Sequence, residues 1–352
     1  MTERAESPDA ADALPDRARR LLKQLSGGAA DFVWSRVEGH DVWRGRQHET
    51  GVTVVLKSGV NVATARAVAN SGVAPRVLAA DGASGICVME DVGSTTLLDV
   101  LAAGDADAAS EGLLGLASAL GTLHGWSAAP EPGQLRLPPV RRLPLSAFTK
   151  SCMALGVDAN RARAAFIEAE RCVRHDYPQV VVHGDPCPDN FVPGESNHVA
   201  GKFIDFEATR RGNAILDAAC WHMPFPTGWR VARVPGELLT RMDASYHAAL
   251  GTRWPQLLDT ATFQRLLAAA CVYWLVSCLT GKRFVEAEDD RLAGPAFASV
   301  RERGLLWLDN AAATISEAGH FERAGEVAYE LAERLRQRWK LVNDAPLYPA
   351  FL

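Results

Sequence analysis

The chain has 352 residues, of which 48% are hydrophobic and 22% charged, and this composition is typical of a globular protein with a large buried core. Its net charge of -5 argues against a general nucleic-acid binder. Seven cysteines, an odd number without a Cys-x-x-Cys pair, favour reduced thiols in the cytoplasm over disulfides or a zinc site.

The N-terminal part of the chain contains the strand-like patterns. Residues 1–14 are polar and acidic, which indicates a disordered tail rather than a secretory signal, and residues 14–25 favour a short helix. Residues 61–70 have helical spacing. Short apolar runs separated by turn residues predict the strands of an antiparallel sheet: 31–37, 41–46, 51–59, 73–78 and 85–92.

Beyond residue 93 the patterns are mostly helical. Residues 109–126 carry leucines at helical spacing, residues 128–144 form a proline-rich loop, and residues 146–175 are mostly helix. The apolar run 266–280 is too short to span a membrane and indicates a buried helix. We therefore expect neither a membrane nor a nucleic acid as a partner. Four further helices are predicted in the C-terminal part: 236–250, 260–279, 295–318 and 322–341.

The residues with the clearest chemistry lie within residues 180–207. Two short apolar runs bracket a segment rich in proline, glycine and asparagine, and each run is followed closely by an aspartate, Asp185 or Asp205. We expect a hairpin-like pair of strands that delivers both carboxylates to one place. With Asn190, these residue types suit phosphoryl transfer. In that reaction one carboxylate accepts the proton of the attacking hydroxyl, while an amide oxygen and a second carboxylate hold Mg²⁺.

The spacing of these residues also carries a family resemblance. His183, Gly184 and Asp185, with Asn190 beyond them and then Asp205 in the sequence Ile-Asp-Phe-Glu, resemble the motifs of the aminoglycoside phosphotransferase and choline kinase group. That group shares the protein-kinase-like fold. The resemblance therefore implies an α+β, bilobal protein-kinase-like fold, with a small antiparallel-sheet N-lobe and a mainly helical C-lobe.

Under this resemblance the chain divides into three parts. Residues 1–30 form an N-terminal tail and short helix, residues 31–92 the nucleotide-binding N-lobe with its hinge, and residues 93–352 the helical C-lobe with the catalytic loop and the acceptor site. The implied activity is transfer of the γ-phosphate of ATP or GTP, bound with Mg²⁺, to a hydroxyl of a small molecule such as an aminoglycoside or another antibiotic. The sequence favours neither nucleotide and no oligomeric state.

The same resemblance assigns the catalytic and nucleotide-binding residues. Asp185 and His183 belong to the catalytic loop, where Asp185 accepts a hydrogen bond from the attacking hydroxyl. Lys57 contacts the α- and β-phosphates, and the turn around Gly39 is the candidate cover of the phosphates. The remaining assignments are the nucleotide pocket and hinge, at Met89, Glu90, Val92 and Asn190, and the Mg²⁺ ligands, at Asn190, Asp205 and Glu207.

One feature departs from the family pattern. The helical segment 61–70 contains no glutamate, and no acid occurs between residues 58 and 80. The usual carboxylate partner of the phosphate-binding lysine is then missing or comes from elsewhere, for instance from Glu38 or Glu90. The missing glutamate also motivates an alternative, a catalytically weak nucleotide-binding regulator.

Other candidate residues lie in or after the catalytic loop. Cys187 is either a small packed residue or a reactive thiol. Asp217 stands where the family has an aspartate that holds the catalytic loop by hydrogen bonds. Candidates for acceptor contacts are Trp221, His222, Trp229 and the acidic run 286–290, although core packing and a solvated loop explain them as well.

Three further functions stay open from the sequence. A metabolic kinase of amino alcohols or sugars needs the same motifs. A metal-dependent phosphoesterase needs further clusters of histidine and aspartate, whereas the remaining histidines are scattered singly. A protein-kinase role is disfavoured, because the full glycine-rich loop and the Asp-Phe-Gly element are both absent.

Overall fold

The computed structural model gives the fold of most of the chain. It describes residues 32–37, 42–129, 135–175, 179–194, 200–228, 230–279, 297–340 and 344–352, together with Arg20, Leu21 and Lys23. Two compact units are present, of which the first comprises Met1–Ser94 and Ile204–Glu207 and the second comprises Thr95–Phe203 and Ala208–Leu352. The three described residues of the predicted N-terminal helix are helical.

An antiparallel sheet of five strands forms the body of the first unit. Its strands are β1 (Phe32–Arg36), β2 (Val42–Gln47), β3 (Thr53–Lys57), β4 (Val77–Asp81) and β5 (Ile86–Glu90), in the order β1-β2-β3-β5-β4. The core of this unit consists of apolar side chains from one face of the sheet: Phe32, Val54, Leu56, Ala79, Ile86 and Val88. The predicted antiparallel sheet is confirmed.

One helix and one late strand complete this unit. Helix α1 (Val62–Ala69) confirms the predicted helical segment, and it begins where the Asn61 side chain accepts a hydrogen bond from the N–H of Thr64 at 3.1 Å. Strand β4 begins at Val77 rather than at residue 73, because Pro75 has no N–H to offer a neighbouring strand.

Helices make up most of the second unit. They are α2 (Leu97–Ala103), α3 (Ala106–Trp126), α4 (Leu145–Ala154), α5 (Ala159–His175), α6 (Ile215–Ala218), α7 (Gly236–Leu250), α8 (Pro255–Leu258), α9 (Thr260–Cys278), α10 (Val300–Ala318) and α11 (Glu322–Trp339). The predicted helix 146–175 is interrupted, since Gly156 adopts a left-handed φ of 78°. The small sheet and the mostly helical remainder confirm the predicted α+β class.

Helix α3 packs along α7 inside the second unit. Its leucines at helical spacing are all fully buried, at Leu113, Leu116, Leu120 and Leu123. A Cβ at Gly121 would overlap the carbonyl oxygen of Tyr246 in α7. The close approach of the two helices therefore requires glycine at this position.

Four short strands of the second unit lie within or next to residues 180–207, which contain the predicted catalytic loop. Strand β6 (Gln179–Val182) pairs antiparallel with β9 (Arg210–Asn213), and β7 (Phe191–Val192) pairs antiparallel with β8 (Lys202–Phe203). The predicted hairpin-like pairing of the two apolar runs is therefore wrong, because each run has a different partner. Strand β9 was not predicted, because its sequence, Arg-Arg-Gly-Asn, does not alternate between apolar and polar residues.

Helix α9 is long and apolar enough, by length and composition alone, to cross a membrane. In this structure it packs against α5, α6 and α10. Most of its apolar side chains, among them Leu266, Val272 and Leu275, are buried inside the second unit. The helix thus has the packing of a core helix, and the prediction of a buried helix is confirmed.

Candidate active site

The catalytic loop follows strand β6 and is anchored by a buried aspartate. Asp217, in the short helix α6, is 0% exposed. Its Oδ2 accepts a hydrogen bond from the backbone N–H of His183 at 2.6 Å, and its Oδ1 accepts one from the N–H of Gly184 at 3.1 Å. These two hydrogen bonds fix the backbone directly before Asp185. The prediction that Asp217 holds this loop is confirmed.

Two further buried side chains support Asp217. His124, from α3, places Nε2 at 3.3 Å from Asp217 Oδ2 and Nδ1 at 3.0 Å from the hydroxyl of Tyr246. Burial raises the pKa of Tyr246, and the charge of Asp217 raises it further, so the phenol stays protonated. His124 thus links the hydroxyl of Tyr246 to the carboxyl group of Asp217 inside the second unit. Sequence reasoning had assigned His124 no part in this network.

Glycine is required in the His-Gly-Asp motif for two reasons. Gly184 has a φ of 84°, in the left-handed region that other residues rarely adopt. A Cβ at this position would also overlap the carbonyl oxygen of Ala208. Backbone geometry alone therefore accounts for this part of the motif.

The Asp185 carboxylate is held at both of its oxygens. Oδ1 accepts hydrogen bonds from the hydroxyl of Thr227 and from the thiol of Cys187, whose sulfur lies 3.1 Å away. Oδ2 accepts one from the side-chain amide of Asn190 at 3.0 Å. The half-buried carboxylate therefore has a fixed orientation. Thr227 was missed by the sequence analysis, because it lies in a later segment that carries no motif.

Asn190 ends a short 3-10 turn, Pro188–Asn190, that begins with proline. Its amide nitrogen lies 3.0 Å from both the carbonyl oxygen and Oδ2 of Asp185. With the nitrogen committed to Asp185, the carboxamide oxygen is the atom that remains to bind a cation.

His183 lies on the inner side of the loop. It is fully buried, and its ring packs against Phe203 with the ring centroids 5.0 Å apart. Its Nδ1 accepts a hydrogen bond from the N–H of Asp185 at 3.3 Å. This placement suits the positioning of Asp185 rather than a contact with a substrate.

Cys187 is fully buried and its thiol is not activated. Burial raises the pKa of Cys187 well above its usual value, and the charges of Asp185 and Asp189 raise it further. At neutral pH the group is a thiol that donates its single proton to Asp185, and Thr227 Oγ1 lies 2.8 Å from the sulfur. Of the two interpretations from the sequence, the packed residue fits and the reactive thiol does not.

A second group of predicted site residues meets in the first unit. Lys57, the last residue of β3, places Nζ at 2.9 Å from Asp205 Oδ1 and at 2.7 Å from Glu207 Oε1. Burial lowers the pKa of Lys57, but the hydrogen bonds to Glu207 and Asp205 outweigh burial and raise the pKa above its usual value. The side chain is therefore an ammonium at neutral pH.

The backbone at Asp205 has an uncommon conformation. Its φ is 61°, and the 3-10 turn Phe206–Ala208 follows directly. Aspartate is one of the few residues besides glycine that adopt this left-handed region. The turn aims two carboxylates, Asp205 and Glu207, at the same ammonium group.

These carboxylates replace the glutamate that helix α1 lacks. Glu90, one of the two residues predicted to replace it, instead places Oε2 at 3.2 Å from Arg76 Nε. The prediction for Glu90 is wrong because β3 and β5 pair in a register that sets Lys57 opposite Cys87. Glu38 and the turn around Gly39 lie outside the described residues.

The predicted hinge follows strand β5, which ends with Met89 and Glu90. The next residue, Asp91, forms an ion pair with Arg44 of β2, with Nε and Oδ2 2.7 Å apart. This buried carboxylate fixes the chain around Val92. That Met89, Glu90 and Val92 contact a base stays a prediction.

Of the candidate acceptor contacts, Trp221 and His222 lie within the described residues. Trp221 is fully buried and donates its indole N–H to Asp243 at 2.8 Å. His222 Nε2 lies 2.9 Å from the same carboxylate oxygen. These contacts fit the alternative of core packing. Trp229 and the acidic run 286–290 lie outside the described residues.

The donor set fits a magnesium ion bound together with phosphates. Asp205 and Glu207 supply two carboxylates, and Mg²⁺ commonly takes one or two carboxylates plus substrate phosphate oxygens. That Asn190, in the second unit, adds an amide oxygen to the same ion stays a prediction. Within the described ranges no group of three or more His, Cys, Asp or Glu side chains is placed to hold a metal by itself. The phosphoesterase alternative requires such a group, and this part of the chain does not offer one.

The sequence matches a known family over most of its length. Residues 21–258 match the model of a phosphotransferase enzyme family. No curated protein matches the chain.

Several solved structures share the fold. A putative aminoglycoside phosphotransferase from Ralstonia eutropha JMP134 is 16% identical with a TM-score of 0.54, covering 92% of this chain and 98% of that one. A choline/ethanolamine kinase family protein from Mesorhizobium loti is 15% identical with a TM-score of 0.50, covering 90% and 99%. The ethanolamine kinase of Plasmodium vivax is 14% identical with a TM-score of 0.50, covering 88% and 96%. The predicted protein-kinase-like fold is confirmed.

Proposed function

Because the chain belongs to the phosphotransferase enzyme family, we propose that it transfers the γ-phosphate of ATP or GTP to a hydroxyl group of a small molecule. The observation that carries this proposal is the Asp185 carboxylate, fixed by Thr227, Cys187 and Asn190 on a loop that Asp217 anchors. A carboxylate held in one orientation can align the attacking hydroxyl with the phosphorus atom of the γ-phosphate.

Asp185 accepts a hydrogen bond from the acceptor hydroxyl and orients its oxygen for in-line attack. The transition state of phosphoryl transfer is loose, so positioning supplies more of the rate than early deprotonation does. His183 acts through Asp185 by holding its backbone N–H, and it is a positioning residue in this mechanism.

Residues of the first unit bind the nucleotide. Lys57 is cationic and pairs with the α- and β-phosphates, while Asp205 and Glu207 would hold Mg²⁺, and Asn190 is the further ligand that the sequence motif predicts. Bound Mg²⁺ neutralises the charge of the phosphate groups. The base lies against the hinge predicted from the sequence, at Met89, Glu90 and Val92.

The names of the similar structures suggest acceptors to test first. They are a putative aminoglycoside phosphotransferase and kinases of choline or ethanolamine. Amino sugars, including antibiotics, and amino alcohols are therefore the first two classes to assay. We also place the enzyme in the cytoplasm, which the seven free cysteines, six of them buried, support.

The test is Mg²⁺-dependent release of ADP from ATP, and of GDP from GTP, with each acceptor class in turn. Replacing Asp185 by Asn keeps the shape of the side chain and removes its charge. We expect Asp185→Asn to lower kcat by about 10²- to 10⁴-fold, since it removes the hydrogen-bond acceptor of the attacking hydroxyl, and to leave the nucleotide KM near its wild-type value.

Asp107→Asn is the matched control, because it removes an exposed carboxylate from the same unit. This variant should keep wild-type kcat. Wild-type kcat in Asp185→Asn, with both variants folded by circular dichroism, would overturn the proposed function.

A further inference from the structure

The sheet of the first unit has two faces, one of which carries the apolar core of that unit. Side chains alternate between the faces along each strand, so Val55 and Met89 lie on the face opposite the core. Val55 pairs with Met89 of β5 and with Arg44 of β2, and the three residues form one row across the sheet. Lys57 follows Val55 by two residues and shares this face. The face that bears the proposed phosphate-binding lysine therefore also bears Arg44.

Arg44 contacts the two residues that flank Val92. Its Nε lies 2.7 Å from Asp91 Oδ2. A terminal nitrogen of the same guanidinium donates to Asp91 Oδ1 at 3.1 Å and to the carbonyl oxygen of Gly93 at 3.2 Å. Asp91 Oδ1 also accepts a hydrogen bond from the N–H of Gly93 at 3.1 Å. These contacts surround Val92, and all of them lie within the first unit.

The conformation of residues 91–93 depends on these contacts. The side chain of Asp91 is 6% exposed, and a buried carboxylate that loses its cation is strongly unfavourable. Gly93 has a φ of 106°, and glycine has the widest choice of backbone conformations, so this residue does not hold the chain by itself. Without the guanidinium, Asp91 would turn toward water and the backbone on both sides of Val92 would move with it.

We propose that Arg44 is a positioning residue of the nucleotide site. It holds residues 91–93 in the conformation that receives the base, next to the row that contains Val55 and Met89. The inference rests on the proposed function and adds a residue that no sequence motif marks. Lys57 serves the phosphate end of the nucleotide, whereas Arg44 acts on the base end through Asp91 and Gly93.

Removing the guanidinium should weaken nucleotide binding and spare the chemical step. If residues 91–93 keep the binding conformation in only about a tenth of the molecules, the apparent affinity falls about tenfold. We therefore expect Arg44→Gln to raise the Kd of the nucleotide by about tenfold or more. The kcat at saturating nucleotide should stay within about twofold of the wild-type value, because Asp185 and the side chains that orient it lie in the second unit.

The experiment is isothermal titration calorimetry on the full chain with Mg-ADP and Mg-GDP, of which the tighter ligand is kept for the comparison. It is titrated into the wild type, Arg44→Gln, Asp91→Asn and the double variant. Because the two residues act as one unit in this proposal, the double variant should raise the Kd by no more than the larger single effect. A wild-type Kd in Arg44→Gln overturns the inference. A double-variant effect equal to the product of the single effects also overturns it, since Arg44 would then act independently of Asp91.

Arg66→Gln is the matched control, because it removes the same charge from an exposed position of α1 in the same unit. It should bind the nucleotide as the wild type does. Melting temperatures without ligand are measured for every variant, and the titrations are run well below them, so that a loss of stability alone does not change the Kd. Should Arg44→Gln fail to fold, Arg44→Lys takes its place. Lysine keeps the charge but not the planar fork of donors, and we expect it to raise the Kd by about threefold or more.

Failure of the proposed function has a different result. If neither nucleotide binds the wild type, the proposed function and this inference both fall. If Asp185→Asn keeps wild-type kcat, the proposed catalytic residue is wrong, whereas a wild-type Kd in Arg44→Gln together with a loss of kcat in Asp185→Asn removes this inference alone.

Discussion

Thr227 is the residue that ties the catalytic aspartate to a distant part of the chain. Its hydroxyl donates to Asp185 Oδ1, and it lies in a segment whose backbone is constrained nearby, since the fully buried Phe225 has a φ of 49°. A non-glycine residue in this region persists only where its surroundings fix it. The carboxylate is thus oriented by a rigid segment rather than by its own loop alone.

We predict that Thr227→Val lowers kcat by about tenfold or more, because a hydrogen bond to a charged group contributes about 1.5–3 kcal/mol. The nucleotide KM should stay unchanged, since the hydroxyl contacts Asp185 and not the nucleotide-binding residues. Steady-state kinetics with the acceptor found by the ADP-release assay checks both values. Thr227→Ser keeps the hydroxyl and should restore kcat; equal activity of the Ser and Val variants would contradict the prediction.

At the residue scale, the sequence identified the side chains proposed for the chemistry but not the side chains that hold them in place. Asp185, Asn190 and Asp205 were found because a motif with fixed spacing marks them. Thr227 was not found, because a hydroxyl that supports a carboxylate across 42 residues leaves no local pattern. The pairing of Lys57 with Asp205 and Glu207 depends on contacts 148 and 150 residues apart, which no periodicity encodes.

At the scale of the elements, the packing of α3 against α7 depends on a glycine. We predict that Gly121→Ala destabilises the protein by about 1–3 kcal/mol, because the new methyl group overlaps the Tyr246 carbonyl oxygen and forces the helices apart. Chemical denaturation of wild type and variant measures this difference.

Gly115→Ala, in the same helix, is the control for this prediction. A Cβ at Gly115 would lie 3.8 Å from the Phe191 ring, an ordinary contact, so the change should be neutral or stabilising by about 0.5–1 kcal/mol, the usual gain of alanine over glycine in a helix. A Gly121→Ala variant as stable as Gly115→Ala would show that the two helices can separate freely.

Helices were predicted more reliably than strand pairing. The predicted helix 236–250 has the observed ends, because apolar spacing and helix stop signals are local. The pairing of β6 with β9 and of β7 with β8 depends instead on which backbone groups tertiary folding brings together. The two apolar runs were therefore recognised, but their partners were not.

At the scale of the whole molecule, the first unit is completed by residues from far along the chain. Ile204–Glu207 belongs to it, and Asp205 and Glu207 pair there with Lys57. A substitution at Asp205 should therefore alter nucleotide binding, because Asp205 contacts Lys57 directly.

We predict that Asp205→Asn raises the Kd of Mg-ADP by about tenfold or more, because it removes one of the proposed carboxylate ligands of the metal. Asparagine tolerates the left-handed backbone at this position, so the fold is kept. In the wild type, Mg-ADP at about 100 times its Kd should stabilise the protein by about 2.7 kcal/mol. Melting temperatures with and without ligand test this, and EDTA should remove most of the effect.

Glu49→Gln, an exposed change in the turn between β2 and β3, serves as the control and should bind Mg-ADP as the wild type does. Tight Mg-ADP binding by Asp205→Asn would remove this residue from the proposed metal site.

The buried cysteines can be used to follow local unfolding of each unit. Cys87 is fully enclosed in the sheet of the first unit, whereas the second unit encloses five others: Cys152, Cys172, Cys187, Cys220 and Cys271. Burial raises the pKa of Cys87, and it raises that of Cys152 to about 12, so these thiols react with a maleimide only when the structure around them opens. Timed labelling followed by peptide mass spectrometry would therefore record the unfolding of each unit separately, in the unmodified protein and without an introduced probe.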